Sequence, residues 1–385
     1  MAWMIEPRDP LVVRDGRPNQ GRSESVARTF PLPSTLAGAV RTRLGLGSDG
    51  VFAKTSELEL AALRSVSIRG PLLVEADGGT FYVPTPADMV VLGGSGAAQI
   101  GALVPEEQND ALLDEAMADL WPTVLRGQGG GGKPVEGPAF VAWPDLTQWL
   151  VSPGPRNGPN AARILDGGID ELPCETRMHV QVGAFGTAED GMLFEIDGLR
   201  FVQMRGGRPV PLSLWVDVDD SATRIGKLRA GLAPLGGKRR LVRWSRSSVS
   251  FPAVPRALLD AVCKEERSLV RVVLLTPAIF EQGYRPAVTE GTPLGAGNGV
   301  TRARLVAACV GRPIAVSGWD MAKRQPKRTR RAAPAGSVYW VELEGSGEAR
   351  AAWVSRVWGH SVSEDLQDRR DGFGLAVVGL GGDAA

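Results

Sequence analysis

The chain has 385 residues, 43% of them hydrophobic and 23% charged, with a formal net charge of +1. That length suits two or three domains with cores of their own. The balanced charge excludes a protein that coats nucleic acid through bulk charge, so any nucleic-acid site has to be a local patch.

Residues 2–6 read as a short apolar strand stopped by Pro7. The loop from there to Pro33 carries Pro10, Gly16, Pro18, Gly21 and Pro31; a loop that long inside a compact domain is usually functional or disordered. A helix follows, with Ser34 or Thr35 as its cap, Leu36, Val40 and Leu44 on one face, and Gly45 and Gly47 at its end. A strand, a loop and an amphipathic helix open a β-α-β-β-α-β unit. Residues 66–68 and 72–75 are expected as strands, and Asp77-Gly78-Gly79 turns the second into 80–83. Residues 110–120 are expected as a helix stopped by Pro122, 126–138 as a glycine-rich flexible loop, and 152–160 as irregular. Residues 175–204 read as a long hairpin broken at 183–186, with Asp197-Gly198 turning into 199–204. The alternating strand 212–218 ends the first unit.

The second half repeats this grammar. A helix over 255–264 precedes an apolar strand at 269–276 that is expected to be covered on both faces. Strands at 304–310 and 337–344, a helix at 349–358 and a last strand at 373–378 complete it. Two units of like grammar suggest a tandem of small sheet-and-helix domains.

Catalytic signatures are scarce. The two histidines, His179 and His360, lack metal-ligand spacing, and three scattered cysteines, Cys174, Cys263 and Cys309, suggest small buried hydrophobes. No metal and no cofactor are expected. Lys133 after the glycine run is followed by Pro134, where a Walker loop needs Ser or Thr. His179 suits a general base for RNA cleavage through the 2′-hydroxyl, yet its place in an alternating strand favours a structural or stacking role. The start lacks a basic region followed by an apolar core, and no apolar run reaches the roughly 18 residues that span a bilayer, so a cytoplasmic protein without membrane contact is expected.

Three basic segments stand out. The first loop holds Arg8, Arg14, Arg17, Arg22 and Arg28 and no lysine; arginine suits bidentate phosphate recognition and stacking on bases. Gly236-Gly237-Lys238-Arg239-Arg240 joins cations to glycines that permit close backbone approach. Lys323, Arg324, Lys327, Arg328, Arg330 and Arg331 lie between Trp319 and Trp340, a pairing of cations with aromatics that fits single-stranded RNA. Solvated loops with surface ion pairs are the plain alternative.

Ile5-Glu6-Pro7-Arg8-Asp9-Pro10-Leu11, Arg14-Asp15-Gly16-Arg17-Pro18 and Pro31-Leu32-Pro33-Ser34-Thr35-Leu36-Ala37-Gly38 resemble the Cmr-type third subunit of type III-B CRISPR effector complexes. That subunit belongs to the repeat-associated mysterious protein (RAMP) superfamily. The resemblance continues at Pro234-Leu235-Gly236-Gly237-Lys238-Arg239-Arg240, Thr276-Pro277-Ala278-Ile279-Phe280, Ser317-Gly318-Trp319-Asp320, Pro334-Ala335-Gly336-Ser337-Val338-Tyr339-Trp340 and Gly372-Phe373-Gly374-Leu375. It implies an α+β fold of two tandem ferredoxin-like (RRM-like) domains with loop and hairpin insertions, divided as 1–222 and 223–385. It implies a non-catalytic subunit that holds the 5′ repeat-derived tag of the guide RNA, touches the large polymerase-like subunit and a backbone RAMP subunit, and meets target RNA indirectly. The implied tag contacts are Arg14, Arg17 and Arg28, then Gly236, Gly237, Lys238, Arg239 and Arg240, then Gly372, Phe373 and Gly374; the third basic segment adds Lys327 and Arg328. The hairpin at 175–204, with Phe185, Met192 and Phe194 in its apolar middle, is a candidate wedge into the guide–target duplex like the hairpins of the family's relatives, with an ordinary sheet hairpin as the alternative. A RAMP endoribonuclease with His179 as base and a pure protein scaffold are the rival readings.

Overall fold

The computed structural model describes residues 1–13, 30–47, 49–54, 56–93, 99–107, 119–127, 132–219, 221, 226–264, 267–297, 299–320 and 325–382. The expected helix at 110–120 therefore lies outside the described residues apart from its last two positions.

The first sheet is built on Ala2–Pro7, which pairs antiparallel with Leu241–Arg246 on one side and Arg208–Asp219 on the other. Ser67–Glu75 pairs antiparallel with Arg208–Asp219. Gly231–Pro234 extends one edge, and Phe81–Pro84 and Phe140–Ala142 extend the other. Period-two alternation sends Trp3, Ile5, Leu214, Val216, Val242 and Trp244 into one core with the helix Pro33–Leu44. It sends Met4, Leu72 and Trp215 into a second core shared with the C-terminal half. In the helix, Leu36, Val40 and Leu44 are buried as their spacing predicts. Neither Ser34 nor Thr35 caps it: Pro33 occupies the first turn, where its missing N–H is no loss, and Leu32 stands at the cap without a side-chain bond.

The second sheet has the same strand order. Arg267–Leu274 lies between Leu375–Leu380 and Val338–Gly345, and Val300–Cys309 pairs with Val338–Gly345, every pair antiparallel. His360–Ser361 forms its far edge. The helices Gly347–Val357 and Arg256–Lys264 pack against each other and against Leu375–Leu380. Each sheet thus runs fourth strand, first, third, second. The described residues between the third and fourth strands of the first sheet hold the strand Gly231–Pro234 and no helix, and those between the first and second strands of the second sheet hold none either.

Gly231–Pro234 and Leu241–Arg246 hydrogen-bond into the first sheet, so a division between 222 and 223 cuts that sheet. The alternating strand Arg208–Asp219 reads as terminal in the sequence because the chain beyond Asp219 turns polar. We propose a division after Arg246 instead.

Between the second and third strands of the first sheet the chain inserts residues 76–207. They build a small sheet from Met89–Gly93, Gln99–Pro105, Thr123–Arg126, Lys133–Pro134 and Arg156–Asn157. They also supply the helices Trp143–Val151 and Gly158–Gly167, the latter starting where the Pro and Gly content suggested irregular chain. A buried ion pair stitches this insertion to the second sheet. Arg271, 1% exposed, pairs with fully buried Asp88, and its other donors reach Trp149 O and Leu380 O, both at 2.6 Å. Trp149 Nε1 donates to the same carboxylate at 3.1 Å. Every guanidinium nitrogen has an acceptor, the condition under which a buried pair is tolerated.

The hairpin pairs Cys174–Val182 with Ala188–Leu199. Asp197 and Gly198 lie inside its second strand; the next turn falls at Gly206-Gly207, both at positive φ, between Val202–Arg205 and Arg208–Asp219. The cysteines differ from expectation: Cys174 and Cys263 are exposed, and Cys309 is half-buried. Burial, with a smaller contribution from Asp88, pushes the Cys309 thiol up to about 11.

Candidate nucleic-acid interface

Three segments far apart in sequence meet at the Pro7 end of the first sheet. Leu11 and Leu199 exchange backbone hydrogen bonds of 2.9 and 2.8 Å, which fixes the start of the first loop to the base of the hairpin. Gly237 N donates to Val12 O at 2.7 Å, which fixes the same stretch to the basic glycine loop. Gly236 is required there. Its φ is 72°, and a Cβ would lie 2.6 Å from Val12 O. Leu235 N closes the loop onto Arg240 O at 2.9 Å.

Lys238 and Arg239 ride on this closed loop with φ of 56° and 54°, in the left-handed region that L residues seldom enter. Both side chains are exposed. Lys238 Nζ sits 5.3 Å over the Phe194 ring, and Phe194 stacks on His179 at 5.7 Å and 16°. A cation, a benzene ring and an imidazole thus tie the glycine loop to the hairpin. The hairpin itself carries Met178, Val180, Val182, Met192 and Leu193 in the open, with Phe185 at its tip 95% exposed. Exposed apolar side chains gathered on one projection mark an interaction surface.

Arg14, Arg17 and Arg28 lie outside the described residues, but both ends of their loop are placed. Val13 leaves beside the glycine loop. Phe30 returns with its ring 5.4 Å from Phe140 and 6.5 Å from Phe201. Leu32 then packs with Ile279, Val316, Ala332 and Phe373. Val316 and Ala332 belong to the paired strands Ile314–Val316 and Arg330–Ala332, the base of the third basic segment. The first loop therefore departs next to one basic segment and returns next to another.

Above that base, Trp319–Asp320 pairs with Gln325–Pro326, and Lys327 N donates to Gly318 O at 2.7 Å. Lys327 and Arg328 are exposed, and Trp319 is 57% exposed. Lys323 and Arg324 lie outside the described residues. Trp340, the other expected flanking aromatic, is a core residue whose Nε1 donates to Gly381 O at 3.0 Å. Arg330 is a structural cation held bidentate by Asp368 at 2.5 and 2.8 Å.

Gly372, Phe373 and Gly374 have a different place from the one the family resemblance implies: they form a structural turn. All three are buried. Their N–H groups donate to Arg369 O, Asp368 O and Pro277 O at 3.1, 3.0 and 2.8 Å. Phe373 fills the small core with Leu32 and Val316. A Cβ on Gly372 would come within 2.7 Å of Gly70 O, in the first sheet. The turn packs the two halves together and leaves no donor for a phosphate.

Among the described residues no group of three or more His, Cys, Asp or Glu side chains could hold a metal ion, and no helix is long and apolar enough to cross a membrane. Sequence reasoning missed Val12 and Leu199, and it did not join Leu11 to the hairpin or Phe194 to the glycine loop, because these contacts come from cross-strand register that no local pattern encodes. It also missed the helix Glu57–Ser65, although a signal was there: Ser56 and Glu59 form a capping box.

Two antiparallel sheets, each built on four strands in the same order and extended at its edges, and an exposed hairpin tied to a basic glycine loop define a mixed α+β protein. Its sequence places it further. Residues 3–380 match the family described as CRISPR-associated protein (Cas_Cmr3), and the chain belongs to that family. The family resemblance drawn from the motifs is thereby borne out. No curated protein matches the sequence. Among solved structures the chain is similar to one in the type III-B Cmr-beta complex bound to cognate target RNA and AMPPnP. The identity is 13% and the TM-score 0.47, over 88% of this chain and 86% of that one. It is also similar to one in the Csm3-Csm4 subcomplex of the type III-A CRISPR-Cas interference complex. There the identity is 10% and the TM-score 0.33, over 90% of this chain and 94% of that one. The family assignment rests on the sequence match.

Proposed function

We propose that this Cas_Cmr3 family member is a non-catalytic RNA-binding subunit of a type III-B effector complex. It holds the 5′ repeat-derived tag of the guide RNA and bridges the large polymerase-like subunit to a backbone RAMP subunit. The observation that carries this reading is the convergence of the first loop, the glycine loop and the apolar hairpin at one end of the first sheet. Splayed bases need stacking faces and fixed phosphates need cations; Phe185, Phe194 and Trp319 supply the first, and Arg14, Arg17, Arg28, Lys238, Arg239, Arg240, Lys327 and Arg328 the second. Gly236 and Gly237 serve by letting the first loop and the glycine loop touch. Gly372, Phe373 and Gly374 are left out of the site, because their donors are taken and their side chain is buried. The strand orders of the two sheets support two ferredoxin-like domains, each short of one helix among the described residues and the first split by the insertion at 76–207. The exposed apolar hairpin supports its role as a wedge between guide and target.

Fluorescence binding of a tag oligonucleotide, against a scrambled RNA of equal length, tests the reading. The tag is expected to bind more tightly, and equal binding would reduce the loops to generic phosphate holders. The endoribonuclease rival is met by incubating the protein with repeat RNA, where no metal-independent cut is expected. His179→Ala in the assembled complex is expected to leave target cleavage intact.

A further inference from the structure

A cleft of about 960 Å³ opens at the opposite end of the first sheet from the glycine loop. Met1, Ser67, Asp217 and Asp219 line one wall, at the end of the sheet where Ala2–Pro7 begins; the other end of that strand approaches Leu241. Six residues of strand at a rise of about 3.3 Å put the two ends roughly 17 Å apart. The other wall comes from the second unit, through Arg356, His360, Leu366, Arg369 and Arg370.

The walls differ in charge. On the first, Asp217 pairs with the Met1 amine at 2.8 Å and with Arg69. Burial pushes the Asp217 carboxyl up, but the hydrogen bonds from the amine and Arg69 outweigh it, and its pKa is lowered. That wall neutralises itself. On the second, Arg356 donates to Gly295 O at 2.7 Å, with its guanidinium 5.9 Å from the centre of the Trp353 ring. Arg369 donates to Ser363 O at 3.0 Å and Glu364 O at 2.5 Å. Carbonyls hold these side chains in place and leave their charge intact. Among the described residues none of Arg356, Arg369 and Arg370 has a carboxylate partner. The cleft beside these cations also exposes apolar surface, with Leu366 51% exposed and Pro293 half-buried, over Val218 and Val362, which are 2% exposed. His360–Ser361 is a two-residue edge strand, and among the described residues no strand pairs with its outer side.

We propose that this cleft docks an extended acidic segment of another protein subunit of the same assembly. Carboxylates pair with the three guanidiniums, apolar side chains cover the apolar surface beside them, and the backbone adds to the edge at His360–Ser361. A phosphate ligand would satisfy the arginines and leave the apolar lining unused. The proposal rests on the assembly reading above, but the site is separate from the RNA-binding end.

The test uses the complete assembly, purified with p-benzoylphenylalanine in place of Leu366, and with the same residue in place of exposed Leu232 as a control. Irradiation followed by mass spectrometry is expected to map the Leu366 position onto an acidic segment of a protein subunit. Arg356→Glu with Arg370→Glu is expected to lower the yield about tenfold, and Arg370→Lys to retain it. If the charge reversal unfolds the chain, Arg370→Gln, with its melting curve unchanged, is expected to lower the yield by a factor of roughly three. A crosslink to RNA, a crosslink to a neutral or basic segment, no crosslink in an intact assembly, or a yield indifferent to charge would each overturn the proposal. A chain that fails to enter the assembly at all would sink the assembly reading first, a result told apart by the missing co-purification.

Discussion

Gly236 and Gly372 both sit in the left-handed region, at φ of 72° and 91°, and at both a Cβ would come within 3 Å of a carbonyl oxygen from a distant strand or loop. The backbone demands glycine equally at the two turns. Their neighbours differ: Lys238 and Arg239 stand exposed beyond the first, whereas Phe373 is fully buried beyond the second. One turn presents cations to solvent, and the other closes two sheets over a ring. A glycine motif therefore reports a close backbone approach. Whether a ligand is involved depends on the side chains beside it and on whether the local N–H groups are already spent.

The largest effect should come from the buried turn. Phe373→Ala is expected to destabilise the protein by about 3–5 kcal/mol, the range for a large ring removed from a core, as read by urea unfolding. The fraction that stays folded should bind tag RNA as the parent does. Normal stability with lost RNA binding would reverse the roles assigned to the two turns.

The exposed turn should respond in the opposite sense. Lys238→Ala with Arg239→Ala is expected to leave unfolding within about 0.5 kcal/mol of the parent. RNA affinity should fall by roughly 1.5–3 kcal/mol, and the dependence of log affinity on log salt should flatten by about 0.7 for each phosphate that loses its cation on a single strand. Unchanged affinity at low salt would show that RNA is not the ligand of this loop.

A finer effect concerns how the loop reaches the hairpin. A double-mutant cycle between Lys238→Ala and Phe194→Leu is expected to give a coupling of about 0.5–1 kcal/mol in RNA binding, the size of a cation–π contact at an exposed site. Strict additivity would mean that loop and hairpin act independently.

The two turns also show what the sequence carried. Local signals were readable: the spacing of Leu36, Val40 and Leu44 marked a buried face, and the Gly236–Arg240 run marked a tight basic loop. The same signals could not say which glycine turn faces solvent, because the carbonyls that crowd them come from Val12 and Gly70, residues about 220 and 300 positions away in the chain. The place of the chain just beyond 222 was hidden for a related reason. The strand Leu241–Arg246 returns to pair with Ala2–Pro7, and its alternation looks the same whichever sheet it joins. The hairpin's length was legible, but its exposed apolar residues would equally suit a buried strand.

The smallest effect isolates backbone strain from charge at the exposed turn. Arg239 holds a φ of 54°, a conformation that costs an L residue about 1–2 kcal/mol, while glycine loses about 0.5–1 kcal/mol of chain entropy when it is fixed. Arg239→Gly should therefore raise stability by about 0.5 kcal/mol, whereas Arg239→Ala removes the cation but keeps the strain. Both should lose the same RNA affinity and the same increment of salt dependence. Guanidinium unfolding of the two variants side by side reads the difference, and binding isotherms read the agreement. If Arg239→Gly instead bound RNA much more weakly than Arg239→Ala, the held backbone itself would be part of the recognition, as a preset nest of N–H groups. If glycine brought no stability over alanine, the strain would be relieved locally, and the exposed turn would then share with Gly372 only its crowding.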